Sequence, residues 1–198
     1  MPNQHTLKLF ELRCYRARPG RRDELIRMFE RHFCPAYEAG GTTILASWTV
    51  PEAPDLWIWM RAFAGRRERR TALDHFYGGA VWGRLAGDCR ATIADSRLAY
   101  LLRAEQVFGC DQPPAREALP LNLSRPWAAA VFPPASAPPS PWTPERTLQL
   151  RSATQRVWLQ RFDSTAAYEA SKRQNGAQAP STLTHFWHLE PTACSRLR

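Results

Sequence analysis

The chain lacks the short motifs that mark the commonest enzyme classes. Its 198 residues contain no G-x-S-x-G, no G-x-x-x-x-G-K-[ST], no H-E-x-x-H and no G-x-G-x-x-G, so the hydrolase, nucleotide-binding and dinucleotide-binding classes have no support here. No apolar stretch approaches the ~20 residues that a membrane helix needs, and the N-terminus lacks the charged head and apolar run of a secretory signal. We therefore expect a soluble, cytoplasmic protein with no membrane partner.

Cysteine is sparse and lysine is almost absent. The five cysteines are scattered without a C-x-x-C, which argues against a zinc site, a redox pair or a disulfide framework; Cys14 is expected in the core. Only Lys8 and Lys172 are lysines, so the net charge of +9 comes from arginine. Glu68 interrupts the arginine cluster at positions 66, 67, 69 and 70, which indicates a solvated helix face and no nucleic-acid partner.

Hydrophobic periodicity predicts an α+β fold in the first half. Alternating residues indicate strands, and apolar residues spaced by three and four indicate helices. The predicted order is strand 7–17, helix 21–39, strand 42–50, strand 56–63, helices 66–77 and 80–89, and strand 92–102. This βαββαβ order is the ferredoxin-like arrangement. Its sheet carries helices on one face only, so the other face needs a cover, usually a second sheet.

The sequence pattern predicts that the second half is a degenerate copy of the first. Ten prolines within 111–146 predict a linker or irregular loop rather than a buried element, with one short strand, WAAAVF, inside it. Beyond it, RVWLQRFDSTAAYEASK repeats the order of LWIWMRAF and its following helix, with the first helix of the unit lost. We predict a domain over 1–104, a linker over 105–146 and the degenerate half over 147–198.

The first half resembles the NIPSNAP family between Phe10 and Arg103. The matching pieces occur in order: ELRCY, a Pro-Gly turn, a helix ending in FCPAY, LWIWMRAF, HFYGGAVW and a DSRLAY strand. The resemblance implies a dimeric α+β barrel, in which two sheets pack face to face and each protomer keeps a cavity between its sheet and its helices. We therefore expect a homodimer, unless the second half covers the open sheet face within one chain.

Two neighbouring strands supply the first candidate site residues. Side chains two apart on a strand share a face, which groups Glu11, Arg13 and Tyr15 on the first strand, and Trp57, Trp59, Arg61 and Phe63 on the third. Arg13 and Arg61 would then line an aromatic hollow under a covering sheet and hold a carboxylate or enolate. The alternative is a structural Arg–Glu pair at a dimer interface.

Further candidates lie on the helices and the other strands. Trp48, Tyr77 and Trp82 are expected to line the ligand site, and His75 and Asp95 are candidate catalytic bases beside Arg13 and Arg61. The histidines of HFWH fall on opposite faces of a strand and cannot chelate together. We predict no metal and no cofactor.

Relatives with this fold have different functions, so three hypotheses remain open. The first is a protein that binds a small apolar or aromatic ligand without catalysis. The second is a cofactor-independent monooxygenase or isomerase that acts on an enolisable aromatic, with an arginine stabilising the anion. The third is an interaction module that has no ligand.

Overall fold

The computed structural model describes residues 7–106, 125–134, 147–178 and 184–196, which form eight strands and five α-helices. The strands are β1 (Leu9–Ala17), β2 (Thr43–Thr49), β3 (Leu56–Phe63), β4 (Ile93–Gln106), β5 (Trp127–Phe132), β6 (Thr147–Arg151), β7 (Arg156–Arg161) and β8 (His185–Pro191). The helices are α1 (Arg22–Met28), α2 (Cys34–Ala39), α3 (Arg66–Gly78), α4 (Ala80–Thr92) and α5 (Thr165–Gln178). No helix in these ranges is both long and apolar enough to cross a membrane.

The eight strands close into one barrel within a single chain. The strand order around it is β1-β3-β2-β8-β5-β7-β6-β4. Each half thus contributes four strands in the order 4-1-3-2, and β2 of the first half meets β8 while β4 meets β6. The predicted α+β fold with a degenerate second copy is confirmed. The open face of the first sheet is covered by the chain's own second half, and this removes the reason for which a homodimer was predicted; the homodimer itself stays a prediction.

The barrel interior is filled with apolar side chains from all eight strands. Twenty buried residues form this cluster, as expected for a barrel of eight strands, whose lumen is just wide enough for side chains. Trp48 of β2 and Trp127 of β5 bring the two halves together there, with their ring centroids 6.2 Å apart. Cys14 also lies in this cluster, and burial raises the pKa of its thiol to about 12, which confirms it as a core residue.

The short strand predicted at WAAAVF is present as β5, but it is more deeply buried than the proline-rich segment predicts. Residues 127–132 are all buried and pair with both β7 and β8, whereas the segment as a whole was predicted to contain no buried element. The three consecutive alanines explain the difference, because small side chains allow large neighbours to pack on both faces of the strand. Residues 111–124 and 135–146 of that segment lie outside the described residues. The predicted domain boundaries stay predictions.

The first helix contains a π-helical turn that the sequence pattern did not predict. Phe29–Phe33 form this turn between α1 and α2, and the Cys34 N–H donates to the Phe29 carbonyl five residues before it. Pro35 has no N–H to donate to the carbonyl four residues before it, so the turn widens at this point. The wider turn keeps Phe29, Phe33 and Tyr37 all buried against the sheet.

Candidate functional site

The candidate residues of β1 and β3 lie under helices, not under a second sheet. Leu12 and Ile58 point into the barrel, so their neighbours Glu11, Arg61 and Trp59 face outwards, where α1, the π turn, α2 and α3 cover them. The predicted cover of this face by a sheet is therefore wrong. The period of two groups the side chains correctly, but both faces of β3 are apolar, so the pattern does not reveal which one meets the helices.

Glu11 is the centre of a cluster of three arginines. β1 and β3 are neighbours, as predicted, and Glu11 is the direct partner of Arg61 across them. Oε1 of Glu11 accepts from Arg61 Nη2 at 2.9 Å and from Arg13 Nη1 at 3.0 Å, while Oε2 accepts from Arg69 Nε at 2.9 Å. The carboxylate is 2% exposed. One negative and three positive charges leave this arginine cluster with a surplus of two positive charges.

The arginines hold the carboxylate ionised. Burial alone raises the pKa of Glu11, but the charge of Arg61 and the hydrogen bonds from Arg61 and Arg69 outweigh it and bring that pKa from 4.5 to about 2. Burial alone lowers the pKa of Arg61, but Tyr37 and Glu11 outweigh it and raise that pKa above its ordinary value. Glu11 is therefore a hydrogen-bond acceptor that fixes arginines, and it is a poor base at neutral pH.

Arg61 is enclosed by aromatic rings. Its guanidinium carbon lies 5.2 Å from the ring centroids of Tyr37 and Trp59 and 5.8 Å from that of Phe63, which are cation–π distances. Within the described residues its Nε and Nη1 have no hydrogen-bond partner. Because its side chain is only 3% exposed, Arg61 stabilises the cluster from within, and an outside ligand would first meet another residue.

Arg69 is the arginine of the cluster that reaches the surface at a hollow. Its side chain is 32% exposed and lines a half-open hollow of about 340 Å³ between α3 and the strands β1 and β4. We call this the helix-side hollow, and its lining is Leu9, Arg66, Arg69, Arg70, Leu73, Asp74 and Leu101. Glu11 engages only the Nε of Arg69, so within the described chain the four N–H groups on its terminal nitrogens remain available for an anion.

Three predicted residues lie close to the cluster. Tyr15 accepts a hydrogen bond from Arg13 Nη2 at 3.4 Å and packs edge-on against Trp59. Tyr77 is 45% exposed, its hydroxyl is 3.5 Å from the donating hydroxyl of Tyr37, and its ring packs on Trp82. Burial raises the pKa of Tyr37 well above its ordinary value, helped by Tyr77. Tyr37 is therefore a neutral hydrogen-bond donor at physiological pH.

Other candidates lie away from the cluster. Trp48 is inside the barrel, on the opposite side of the sheet. The ring of His75 packs on Gly40, where an added Cβ would lie 2.7 Å from its Cδ2. Asp95 is held at the surface by Arg97 at 2.8 Å, and that hydrogen bonding lowers its pKa. The structure brings neither proposed base to Arg61.

The two histidines of β8 face different neighbours, as the strand pattern predicts. His185 stacks on Trp187, whereas His188 lies 3.1 Å from Glu52 and packs edge-on against Tyr168. In the described part of the chain, no group of three or more His, Cys, Asp or Glu side chains could hold a metal ion.

Arg69 was not predicted as a site residue, because the charged residues 66–70 are typical of one solvated helix face. The structure separates them: Arg67 has a 90% exposed side chain, whereas Arg66, Arg69 and Arg70 line the helix-side hollow. Helical spacing carries that signal, since 66, 69, 70 and 73 share one side of α3 and Leu73 is apolar.

Comparison with known proteins bears on the fold. No family model matches the chain, and no curated protein matches it either. Two solved structures match almost all of it: an anthrone oxidase-like protein (10% identity, 93% of this chain and 91% of the other, TM-score 0.58) and a "putative monooxygenase" from Lactobacillus acidophilus NCFM (11%, 94% and 93%, TM-score 0.55).

NIPSNAP proteins match about half of the chain. One from Agrobacterium tumefaciens covers 52% of this chain and 90% of its own, with 16% identity and a TM-score of 0.46, and several further matches are also described as NIPSNAP proteins. The predicted resemblance to that family is thus confirmed as a likeness. This chain has the α+β-barrel fold of the two full-length matches, and two unequal halves of the chain close its barrel. Its first half is similar to NIPSNAP family proteins.

Proposed function

We propose that this protein binds a small aromatic or apolar carboxylate in the helix-side hollow. The observation that carries the proposal is Arg69, which buried Glu11 holds at the wall of that hollow while its terminal N–H groups stay free of described partners. A guanidinium fixed in this way has lost its side-chain freedom before the ligand arrives, which favours binding of an anion.

Apolar residues in the hollow determine the rest of the ligand. Leu9, Leu73 and Leu101 line it beside the arginines, and Leu101 is 36% exposed, so these leucines offer apolar surface to a ligand. An aromatic ring on these leucines would be buried while its carboxylate meets Arg69 and Arg70. The volume of about 340 Å³ suits a ligand of one or two rings.

Matched ligands test the proposal on the wild-type protein. Isothermal titration calorimetry would compare 1-naphthoate with 1-naphthalenemethanol, which has the same rings but no charge. We expect the carboxylate to bind at least about tenfold more tightly, since a hydrogen bond to a charged group contributes about 1.5–3 kcal/mol. Equal affinity for both compounds, or none for either, would contradict the proposal.

Oxygenation of an enolisable aromatic at the same hollow is the second candidate. Two features favour it: the surplus positive charge of the arginine cluster would stabilise an enolate, and Asp74 lines the hollow as a carboxylate that could take the proton. One of the full-length structural matches is an anthrone oxidase-like protein. Anthrone is therefore the substrate to test: with O₂ it would give anthraquinone and water, and Asp74→Asn should stop O₂ uptake. A binder would take up naphthoate without consuming O₂.

A further inference from the structure

Arginines face one another across the seam where the two halves of the barrel meet. Arg103 of β4 is the direct partner of Arg151 of β6, and Arg151 is the direct partner of Arg156 in β7. Directly opposed residues share a face of the sheet and lie close together, and like charges in these positions destabilise it. Three arginines thus form a row across three strands at a cost to stability.

One carboxylate partly compensates this row. Glu105 lies 3.3 Å from Arg151 Nε and 3.2 Å from Arg156 Nη2. Within the described ranges Arg103 forms no ion pair. Arg103 therefore keeps a positive charge that no carboxylate of the described residues compensates.

A hollow of about 360 Å³ lies over this row. Its lining is Leu9, Arg66, Leu101, Arg103, Arg151, Ser152 and Ala153, and we call it the seam hollow. Arg66 of α3 joins Arg103 and Arg151 there, while Leu9 and Leu101 supply apolar surface. The first half of the chain contributes Arg66 and Arg103 and the second contributes Arg151, so the hollow exists only when the barrel closes.

We propose that the seam hollow binds a phosphate monoester, with its phosphate on Arg66, Arg103 and Arg151 and its apolar part on Leu9 and Leu101. Arg66 and Arg103 form no ion pair within the described ranges, and their two positive charges match the dianion that a monoester carries above its second pKa of about 6. The planar guanidinium binds phosphate oxygens through paired N–H donors. A monocarboxylate would leave part of this charge uncompensated.

This site shares Leu9, Arg66 and Leu101 with the helix-side hollow, but the two sites differ in their other arginines. Arg103 and Arg151 line the seam hollow but not the helix-side hollow, and Arg69 lines the helix-side hollow but not the seam hollow. Variants of these residues therefore separate the two proposals. Failure of the naphthoate experiment would leave the phosphate proposal standing, and the reverse is also true.

Calorimetric titration of the full chain with phenyl phosphate at pH 8 and low salt tests the proposal. The double variant Arg103→Gln/Arg151→Gln should weaken binding about a hundredfold, at about tenfold for each charged hydrogen-bonding partner. Arg67→Gln, whose side chain is 90% exposed on the same helix as Arg66, is the matched control and should leave the affinity unchanged. Absence of binding to the wild type, or equal losses in the control and the double variant, would overturn the proposal.

Thermal unfolding and naphthoate binding give further readouts. Without ligand, Arg103→Gln should raise the melting temperature because it removes the repulsion from Arg151. On addition of phenyl phosphate, the melting temperature of the wild type should rise by more than that of the variant. The double variant should keep the wild-type response to 1-naphthoate. A melting temperature lowered by Arg103→Gln, or loss of both ligands together in the double variant, would contradict a separate phosphate site.

Discussion

Arg69 Nε donates to Glu11 Oε2 over 2.9 Å, and this bond ties helix α3 to a carboxylate buried in β1. The other oxygen of Glu11 accepts hydrogen bonds from Arg13 and Arg61. A single carboxylate therefore fixes the arginine that reaches the surface at the helix-side hollow and compensates the arginine buried beneath the helices.

Glu11→Gln should destabilise the protein far more than Arg61→Met does. Loss of the carboxylate leaves Arg61 as a buried cation without a counter-charge, which costs about 3–5 kcal/mol. Loss of Arg61 leaves Glu11 paired with Arg13 and Arg69, and methionine fits the aromatic surroundings, so the cost should be about 1 kcal/mol. Urea unfolding followed by circular dichroism measures both values. An equal or reversed order would show that Glu11 is not the centre of the cluster.

Acid should remove the stabilisation that Glu11 provides. Its pKa is about 2 in the folded protein against an ordinary 4.5, so its contribution is complete above pH 4.5 and is lost as the pH falls towards 2. The shift corresponds to about 3 kcal/mol. Unfolding free energies measured from pH 5 to pH 2 should therefore fall more steeply for the wild type than for Glu11→Gln, and the two curves should converge at the acid end.

An exposed glutamate provides the control for that pH series. Glu24 pairs with Arg21 on the surface of α1, where such pairs contribute little. Glu24→Gln should reproduce the wild-type curve. If Glu11→Gln and Glu24→Gln gave the same curve, the buried cluster would not be the source of the acid dependence.

Residues 1–106 expressed alone should self-associate through the inner face of their sheet. In the full chain, β2 and β4 pair with β8 and β6 of the second half, and both edges and the face bearing Leu12 and Met60 become free without it. A second copy offers the same strands in the same 4-1-3-2 order. Native mass spectrometry should detect dimers of the fragment; a monomeric, folded fragment would show that the second half is not needed as a cover.

The sequence allowed β1 and β3 to be predicted as neighbours and offered an Arg–Glu pair as one alternative, because both follow from local patterns. Alternation along β1 and β3 groups the outward residues, and the βαββαβ order makes these strands neighbours. The short echo of LWIWMRAF in RVWLQR also indicated the second half of the barrel, although the closure itself depends on pairing between strands far apart in the chain.

Local patterns did not reveal the face that the helices cover or the role of Arg69. Trp57 and Met60 lie on opposite faces of β3 and both are buried, so hydrophobicity does not separate the helix side from the barrel side. The partner of Arg69 lies 58 residues away in the chain, and that distance hides the contact from any periodicity. The arginine row across the seam has the same origin, since Arg103 and Arg151 meet only through barrel closure.

The most direct test of the account is the affinity of Arg69→Gln for 1-naphthoate, measured by calorimetry beside Arg67→Gln. Both variants remove one positive charge from α3, but only Arg69 contacts Glu11 and lines the helix-side hollow. We predict that Arg69→Gln binds at least about tenfold more weakly than the wild type and that Arg67→Gln binds like the wild type. Equal affinities in all three proteins would contradict the assignment of this hollow as the anion site.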